Sequence, residues 1–274
     1  MGLAYDRAGS GPPLVLLHGV GHRRQAWGAV LDRLTPHRDV ITVDLAGHGD
    51  SPPLQLAGRP VLEALLDDVR DLLAALGVAR PHFAGNSLGG RLALEAGVRG
   101  AAASVTALSP AGFWRADWEF RYARSIFAVM QASSALLRPL APAIVGTTAG
   151  RALTFSAVVA RPARLTAEQA VGDVAGFVRA REALDTVLAG MTQFTGRVPD
   201  GLPVTIAWGT KDRVLPQRQV LVAKARLPQA RFVPLPGCGH VPMTDDPALD
   251  ADVLLRGSEA KPLDTRWPGA SRRP

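Results

Sequence analysis

Cysteine is nearly absent from this chain of 274 residues. Its single cysteine, Cys238, excludes an intrachain disulfide, and cysteines alone cannot build a metal site. Lysine is scarce too: apart from Lys211, Lys224 and Lys261, all of the 31 basic residues are arginine. These arginines are scattered, and their densest group is the short tail 267–274 with Arg272 and Arg273. No basic run is interleaved with aromatics, so the formal net charge of +7 points to compositional bias rather than to a nucleic-acid partner. No stretch reaches the ~18 uninterrupted apolar residues of a membrane span, so no stable membrane insertion is expected. The opening MGLAYDRAGSGPP lacks the basic-then-apolar layout of a secretion signal, and the expected location is cytoplasmic. Internal repeats and low-complexity linkers are missing as well. The oligomeric expectation is a monomer or homodimer.

With 47% apolar and 20% charged residues, the chain can bury a real core. Its length suits one large α/β domain, or such a domain with an insertion. Short apolar runs alternate with amphipathic ones through the first third. LVLLHG (14–19), DVITVDL (39–45), RPHFAGNS (80–87) and SVTALSP (104–110) are expected strands. AWGAVLDRL (26–34), LEALLDDVRDLLAALG (62–77) and LGGRLALEAGVRG (88–100) have helical spacing between them. Strand and helix in alternation mean a parallel sheet with crossover helices. Strands covered on both faces read as continuous apolar runs, as these do.

The rhythm then breaks. From Phe113 to Gly196 no strand is convincing, and helices are expected near 115–137, 143–160 and 167–190. Thr166 and Gln169 have the spacing of a capping box. The α/β pattern returns with LPVTIAWG (202–209), a helix near 216–226 and ARFVPLPG (230–237). The fold class is therefore α/β: a mostly parallel central sheet flanked by helices, with an inserted all-helical block. The expected division is a core in two parts, 1–112 and 197–274, and an insertion over 113–196. The residues from about Gly257 are polar and proline-rich and are expected to fray.

Gly85-Asn86-Ser87-Leu88-Gly89 stands between a strand and a helix, which is the context that gives G-x-S-x-G its meaning. A residue on so sharp a turn takes strained backbone angles, and its neighbours must lack bulk. The serine is thrust out at the carboxyl edge of the sheet, where open α/β sheets bind ligands. A serine hydroxyl needs a base, and the base needs an orienting acid. His240, in PGCGHVPMTDDP after the last strand, fits as base. Asp212, in WGTKDRVLP after the strand before it, fits as acid. The stretch ALSPAGF, the other place for an acid, has no carboxylate. The order Ser87, Asp212, His240 is the one expected of this architecture.

With these residues the chain resembles the α/β-hydrolase fold superfamily over nearly its whole length. LLHGVG (16–21) looks like the family's oxyanion loop, and DLAGHGDSP (44–52) like its D-x-x-G-x-G-x-S segment. GNSLGG (85–90), GTKDRVLP (209–216) and GCGHVP (237–242) look like its nucleophile, acid and base loops. By the same resemblance the helical block is a cap inserted after the sixth strand of the family's sheet. The chain departs from the family at its start, where only GLAYDRAG precedes the glycine loop and the extra edge strand is left open. The resemblance implies acyl transfer without metal or cofactor. Ser87 attacks a carbonyl, His240 takes its proton, Asp212 orients the imidazole, and the backbone N–H groups of Val20 and Leu88 bind the oxyanion.

The expected substrate is a small-to-medium apolar ester. A C–C bond hydrolase of vinylogous diketones is the alternative, since GNSLGG is similar to the elbow of that subfamily; a tryptophan usually follows its base histidine, whereas Val241 stands here. Cofactor-free haloperoxidase-like or lyase chemistry, and a low-turnover ligand receptor, remain further readings of the same fold. Ser87 argues against the aspartate-nucleophile dehalogenases and epoxide hydrolases. Asp44 is expected to organise its glycine turn, His18 to pack its loop and His82 to sit satisfied in the core; His22 and His48 stand on loops that can face the pocket, and both are expected to be solvated. Cys238 is expected to be a buried filler. In the insertion, Phe113, Trp114, Trp118, Phe120 and Tyr122 serve either helix packing or a pocket roof. Phe127, Met130, Phe155, Phe177, Met191 and Phe194 fit both accounts.

Overall fold

The computed structural model describes residues 2–259. The apolar runs form seven strands: β1 (Tyr5–Gly9), β2 (Pro13–Leu17), β3 (Asp39–Val43), β4 (His82–Asn86), β5 (Ser104–Leu108), β6 (Val204–Gly209) and β7 (Arg231–Leu235). They pair in the order β1-β3-β2-β4-β5-β6-β7, and every pairing is parallel except β1 with β3. The continuous apolar runs have the predicted consequence: every residue of β4, β5 and β6 is buried. The edge strand left open by the sequence is present. β1 lies along β3 with Tyr5 opposite Val43 and Gly9 opposite Asp39. All five of its residues are exposed, so no apolar pattern announced it; its partner strand and the Arg7–Asp39 ion pair at 2.7 Å hold it.

Helices cover the sheet: α1 (Gly28–Leu34), α2 (Val61–Ala75) and α3 (Leu88–Val98) in the first half, and α9 (Val220–Arg226), α10 (Pro242–Asp245) and α11 (Pro247–Gly257) in the second. The chain leaves β2 towards β3 on one side and reaches β4 on the other. The sheet therefore switches direction between β2 and β4, and the loops at their carboxyl ends border the crevice where such sheets take ligands.

Between β5 and β6 the chain is helical: α4 (Asp117–Leu137), α5 (Ala141–Val145), α6 (Thr148–Phe155), α7 (Ala167–Arg179) and α8 (Arg181–Gly190). Two expected helices are each divided. The stretch 143–160 breaks where Thr147 turns to cap α6, its hydroxyl accepting the Gly150 N–H at 3.0 Å. The stretch 167–190 breaks at Ala180, between α7 and α8. The Thr166–Gln169 capping box is formed in both directions, at 3.0 and 3.1 Å. The expected fraying does not begin at Gly257: Gly257 and Ser258 are buried, and the Ser258 hydroxyl accepts from Arg38 Nε at 2.9 Å, while 260–274 lie outside the described residues. The arginines of 267–274 lie outside the described residues. Among the described residues no single helix is long and apolar enough to cross a membrane.

Candidate active site

Ser87 occupies the joint between β4 and α3 with φ 55° and ψ −109°. A non-glycine residue held there costs about 1–3 kcal/mol and persists only where its surroundings over-determine it. They do. The Ser87 N–H donates to Leu108 O at 2.9 Å, and its carbonyl accepts from Arg91 N at 2.9 Å and Ala111 N at 3.1 Å. The flanking glycines are steric necessities: a Cβ on Gly85 would strike the Gly89 backbone, and one on Gly89 would strike the Leu17 carbonyl of β2.

Asp212 sits in the turn after β6 with its side chain fully buried. Its Oδ1 accepts the Val214 N–H at 2.9 Å and the Leu215 N–H at 2.8 Å, which fixes the carboxylate plane. Its Oδ2 accepts from His240 Nδ1 at 2.8 Å. The carboxylate thus performs the turn-capping role of an aspartate in such a loop and holds the histidine as well. With the proton on Nδ1, Nε2 is the basic nitrogen of His240. Nε2 is buried and has no hydrogen-bond partner among the described residues.

His240 is 3% exposed and its main chain is tied on both sides. The His240 N–H donates to Val158 O at 2.9 Å, and its carbonyl accepts from Asn86 Nδ2 at 2.8 Å. Ser87 and His240 line one cavity of about 60 Å³ together with Val20, from the loop after β2. The Val20 and Leu88 N–H groups donate to no protein acceptor among the described residues. Ser87, Asp212, His240, Val20 and Leu88 are therefore gathered at one sheet edge. No hydrogen bond joins the Ser87 hydroxyl to Nε2 among the described contacts.

The cavity roof comes from the insertion, chiefly Phe127, Met130, Phe155 and Phe177. None of the aromatic group near 113–122 lines the cavity: Phe113, Trp114 and Phe120 pack, while Trp118 and Tyr122 are exposed. Phe113 sits against Phe194 with ring centroids 5.5 Å apart, Trp114 stacks on Phe120 at 4.4 Å, and Trp118 is exposed beneath the Arg218 guanidinium. Neither Met191 nor Phe194 lines the cavity.

The other histidines separate cleanly. His18 is fully buried; its Nδ1 donates to Gly19 O at 2.8 Å and its Nε2 accepts the Leu45 N–H at 3.0 Å. Burial, with His48 nearby, holds its pKa well below the usual value. His48 is not solvated as expected: it is buried 5.2 Å from the His18 ring, and burial lowers its pKa to about 4. His82 bonds Ser104 Oγ at 2.8 Å inside the core. His22 does reach the cavity wall. Asp44 organises its glycine turn, accepting the Arg24 N–H at 2.6 Å and the Asp50 N–H at 2.9 Å. Burial pushes the Cys238 thiol up to about 12, leaving it without thiolate character at neutral pH.

Two site residues escaped sequence reasoning. Asn86 lies inside the elbow motif, and its amide joins β5 to the base loop through Leu108 O and His240 O. Asp245 is fully buried and accepts the N–H groups of Ala160, Arg161 and Gly239 at 3.0, 2.6 and 2.7 Å. Its position five residues past His240 was the available signal, masked by an ordinary acidic pair in TDDP.

A seven-stranded, mostly parallel sheet with a serine on a strained strand–helix joint defines an α/β-hydrolase architecture. The model of the alpha/beta hydrolase family matches residues 14–249, and the chain belongs to that family. It is 31% identical over 268 residues to an uncharacterized protein of Mycobacterium tuberculosis, covering 92% of this chain and 77% of that one. It is 29% identical over 288 residues to a pimeloyl-[acyl-carrier protein] methyl ester esterase of Xanthomonas campestris pv. campestris, covering 94% of this chain and 99% of the relative. Among solved structures, a bacterial membrane phospholipase A superposes with a TM-score of 0.68 at 26% identity, over 93% of this chain and 83% of the other.

Proposed function

We propose that this chain is a serine ester hydrolase acting on apolar small-to-medium esters through an acyl-enzyme. Ser87 is the nucleophile, His240 its general base and Asp212 the group that fixes the imidazole tautomer. The observation that carries this reading is the Asp212–His240 bond at 2.8 Å, which leaves Nε2 unpartnered on a cavity that Ser87 also lines. His240 takes the Ser87 proton as the hydroxyl attacks the ester carbonyl, and the imidazolium is stabilised by the buried carboxylate. The free N–H groups of Val20 and Leu88 receive the oxyanion; one such donor is worth ~3 kcal/mol of barrier. His240 then protonates the leaving alcohol and activates the water that releases the acid. The block 113–196 serves as a cap whose apolar side chains shield the reacting carbonyl from bulk water. The mostly apolar lining and the esterase among the relatives support an ester substrate.

Exposure to a fluorophosphonate probe, read by intact mass, tests the assignment. One adduct on the native protein and none on Ser87→Ala is the expected result. A native protein that stays unlabelled would overturn it. Hydrolysis of a series of alkyl esters by the native protein, lost on labelling and absent in Ser87→Ala, establishes the reaction.

A further inference from the structure

The reading of Ser87 as nucleophile leaves open what the adjoining cavity selects. The α4 stripe on its wall carries Phe127, Met130 and Ser134, at i, i+3 and i+7. A helical serine commonly returns its hydroxyl to a carbonyl one turn back. Ser125 Oγ does so, donating to Tyr122 O at 2.7 Å, and Ser133 Oγ donates to Val129 O at 2.9 Å. Ser134 does not. It is 8% exposed, it lines the cavity, and its hydroxyl has no partner among the described residues. Its oxygen is open to the cavity, where water or a polar group of a ligand can complete it.

Three more polar groups face the same space. Asp173 of α7 spends Oδ1 on Arg23 Nε at 3.2 Å, and no described donor meets its Oδ2. Thr154 of α6 spends its proton on Gly150 O at 2.8 Å, so only its lone pairs remain. His22 Nδ1 accepts the Arg23 N–H at 3.1 Å, which leaves the proton of the neutral ring on Nε2. An otherwise apolar cavity therefore offers acceptors at Asp173 and Thr154 and donors at Ser134 and His22. A carboxylate would meet Asp173 unfavourably, and an ammonium could not use the His22 N–H. A hydroxyl both donates and accepts and suits the set. We infer that the substrate is an ester bearing a free hydroxyl remote from its scissile carbonyl, with Ser134 as the specificity-determining contact.

Matched ester pairs test this. An ethyl ω-hydroxyalkanoate is compared with the ethyl alkanoate of the same length, and a glycol monoester with the propyl ester of the same acid. The first pair places the hydroxyl on the acyl part, the second on the alcohol. The native protein is expected to favour the hydroxylated member of one pair by about tenfold or more in kcat/KM. Ser134→Ala is expected to lower that ratio about tenfold, and Ser134→Thr, which keeps a hydroxyl, to retain it. A ratio near one in both pairs, or one that Ser134→Ala leaves unmoved, overturns the inference. Fluorophosphonate labelling separates the two failures. A native protein that reacts with the probe and, before that reaction, cleaves plain and hydroxylated esters without preference refutes only the hydroxyl subsite, whereas a native protein that stays unlabelled refutes the hydrolase reading beneath it.

Discussion

Removing the Asp245 carboxylate should do two kinds of damage at once. The group is fully buried where the base loop meets the insertion. Its Oδ2 accepts from Ala160 N and Gly239 N, and its Oδ1 from Arg161 N, at 3.0, 2.7 and 2.6 Å. Hydrogen bonds to a charged acceptor are each worth about 1.5–3 kcal/mol, but bonds on one carboxylate do not add. Asp245→Ala leaves three N–H groups to find partial hydration, so the expected loss is about 3–5 kcal/mol. Asp245→Asn keeps one oxygen, which serves two of the three donors, and sets an NH2 against the third. Its expected loss is about half as large. Urea titrations at neutral pH, compared at constant slope, measure both. The second kind of damage concerns His240. Its N–H and that of Val241 both donate to Val158 O, two residues before Ala160. Freeing that turn lets the imidazole drift, and kcat/KM on a simple ester should fall about tenfold or more at temperatures where the variants remain folded. A stability loss under ~1 kcal/mol for Asp245→Ala, with activity intact, would refute the argument that this carboxylate pins the base loop.

A second buried carboxylate predicts an unusual pH dependence. Burial, with Asp246 nearby, raises Asp250 to about 8, and neither of its oxygens has a partner among the described residues. Between ~4, the unfolded value, and about 8, the folded state holds a proton that the unfolded chain lacks. Stability should therefore fall as pH rises through that window, by up to ~1.4 kcal/mol per unit. Asp250→Asn should flatten the slope, and identical slopes in urea titrations from pH 5 to 8 would sink the idea. At the joint that carries Ser87, Gly89→Ala drives a Cβ into the Leu17 carbonyl. A loss of about 3 kcal/mol is expected, and a denaturation midpoint equal to that of the native protein would refute the close approach of α3 to β2.

The parts of the fold that the sequence displayed are those with local causes. β4 and β5 are buried on both faces, so each residue type in HFAGN and SVTAL is constrained by the layer above or below it. The elbow is legible because its strain must be relieved within five consecutive residues, which forces Gly85 and Gly89 into the chain. Asp212 and His240 can be paired from the sequence because the ends of β6 and β7 are marked by glycine turns and few competing acids or histidines stand there. β1 was not announced, because a fully exposed edge strand needs no apolar alternation; its pairing comes from β3. His48 departs from its expected solvation for the opposite reason. It lies in a glycine-rich loop of the kind that is commonly solvated, yet tertiary packing buries it beside His18.

The cavity was the least legible part, and the reason is physical. Its wall joins α4, α6 and α7 of the insertion to the loop after β2, so it depends on long-range packing rather than on any short motif. Helical spacing told which residues of α4 share a face. It did not tell that Phe127 and Met130 turn to the cavity while Trp118 turns to Arg218 and water. Polar residues such as Ser134 and Asp173 look ordinary on a helix until the neighbours that fail to satisfy them are known. The proposed chemistry thus rests on the sheet edge, in backbone turns that each need particular residues. The selectivity proposed for it rests on unsatisfied hydrogen-bonding capacity, which exists only once the helices have packed. The same distinction says where change is tolerated. On the proposed reading, substitutions at Ser134 or Asp173 are expected to alter what the cavity accepts, and those at Gly85, Gly89 or Asp245 to alter whether Ser87 and His240 meet at all.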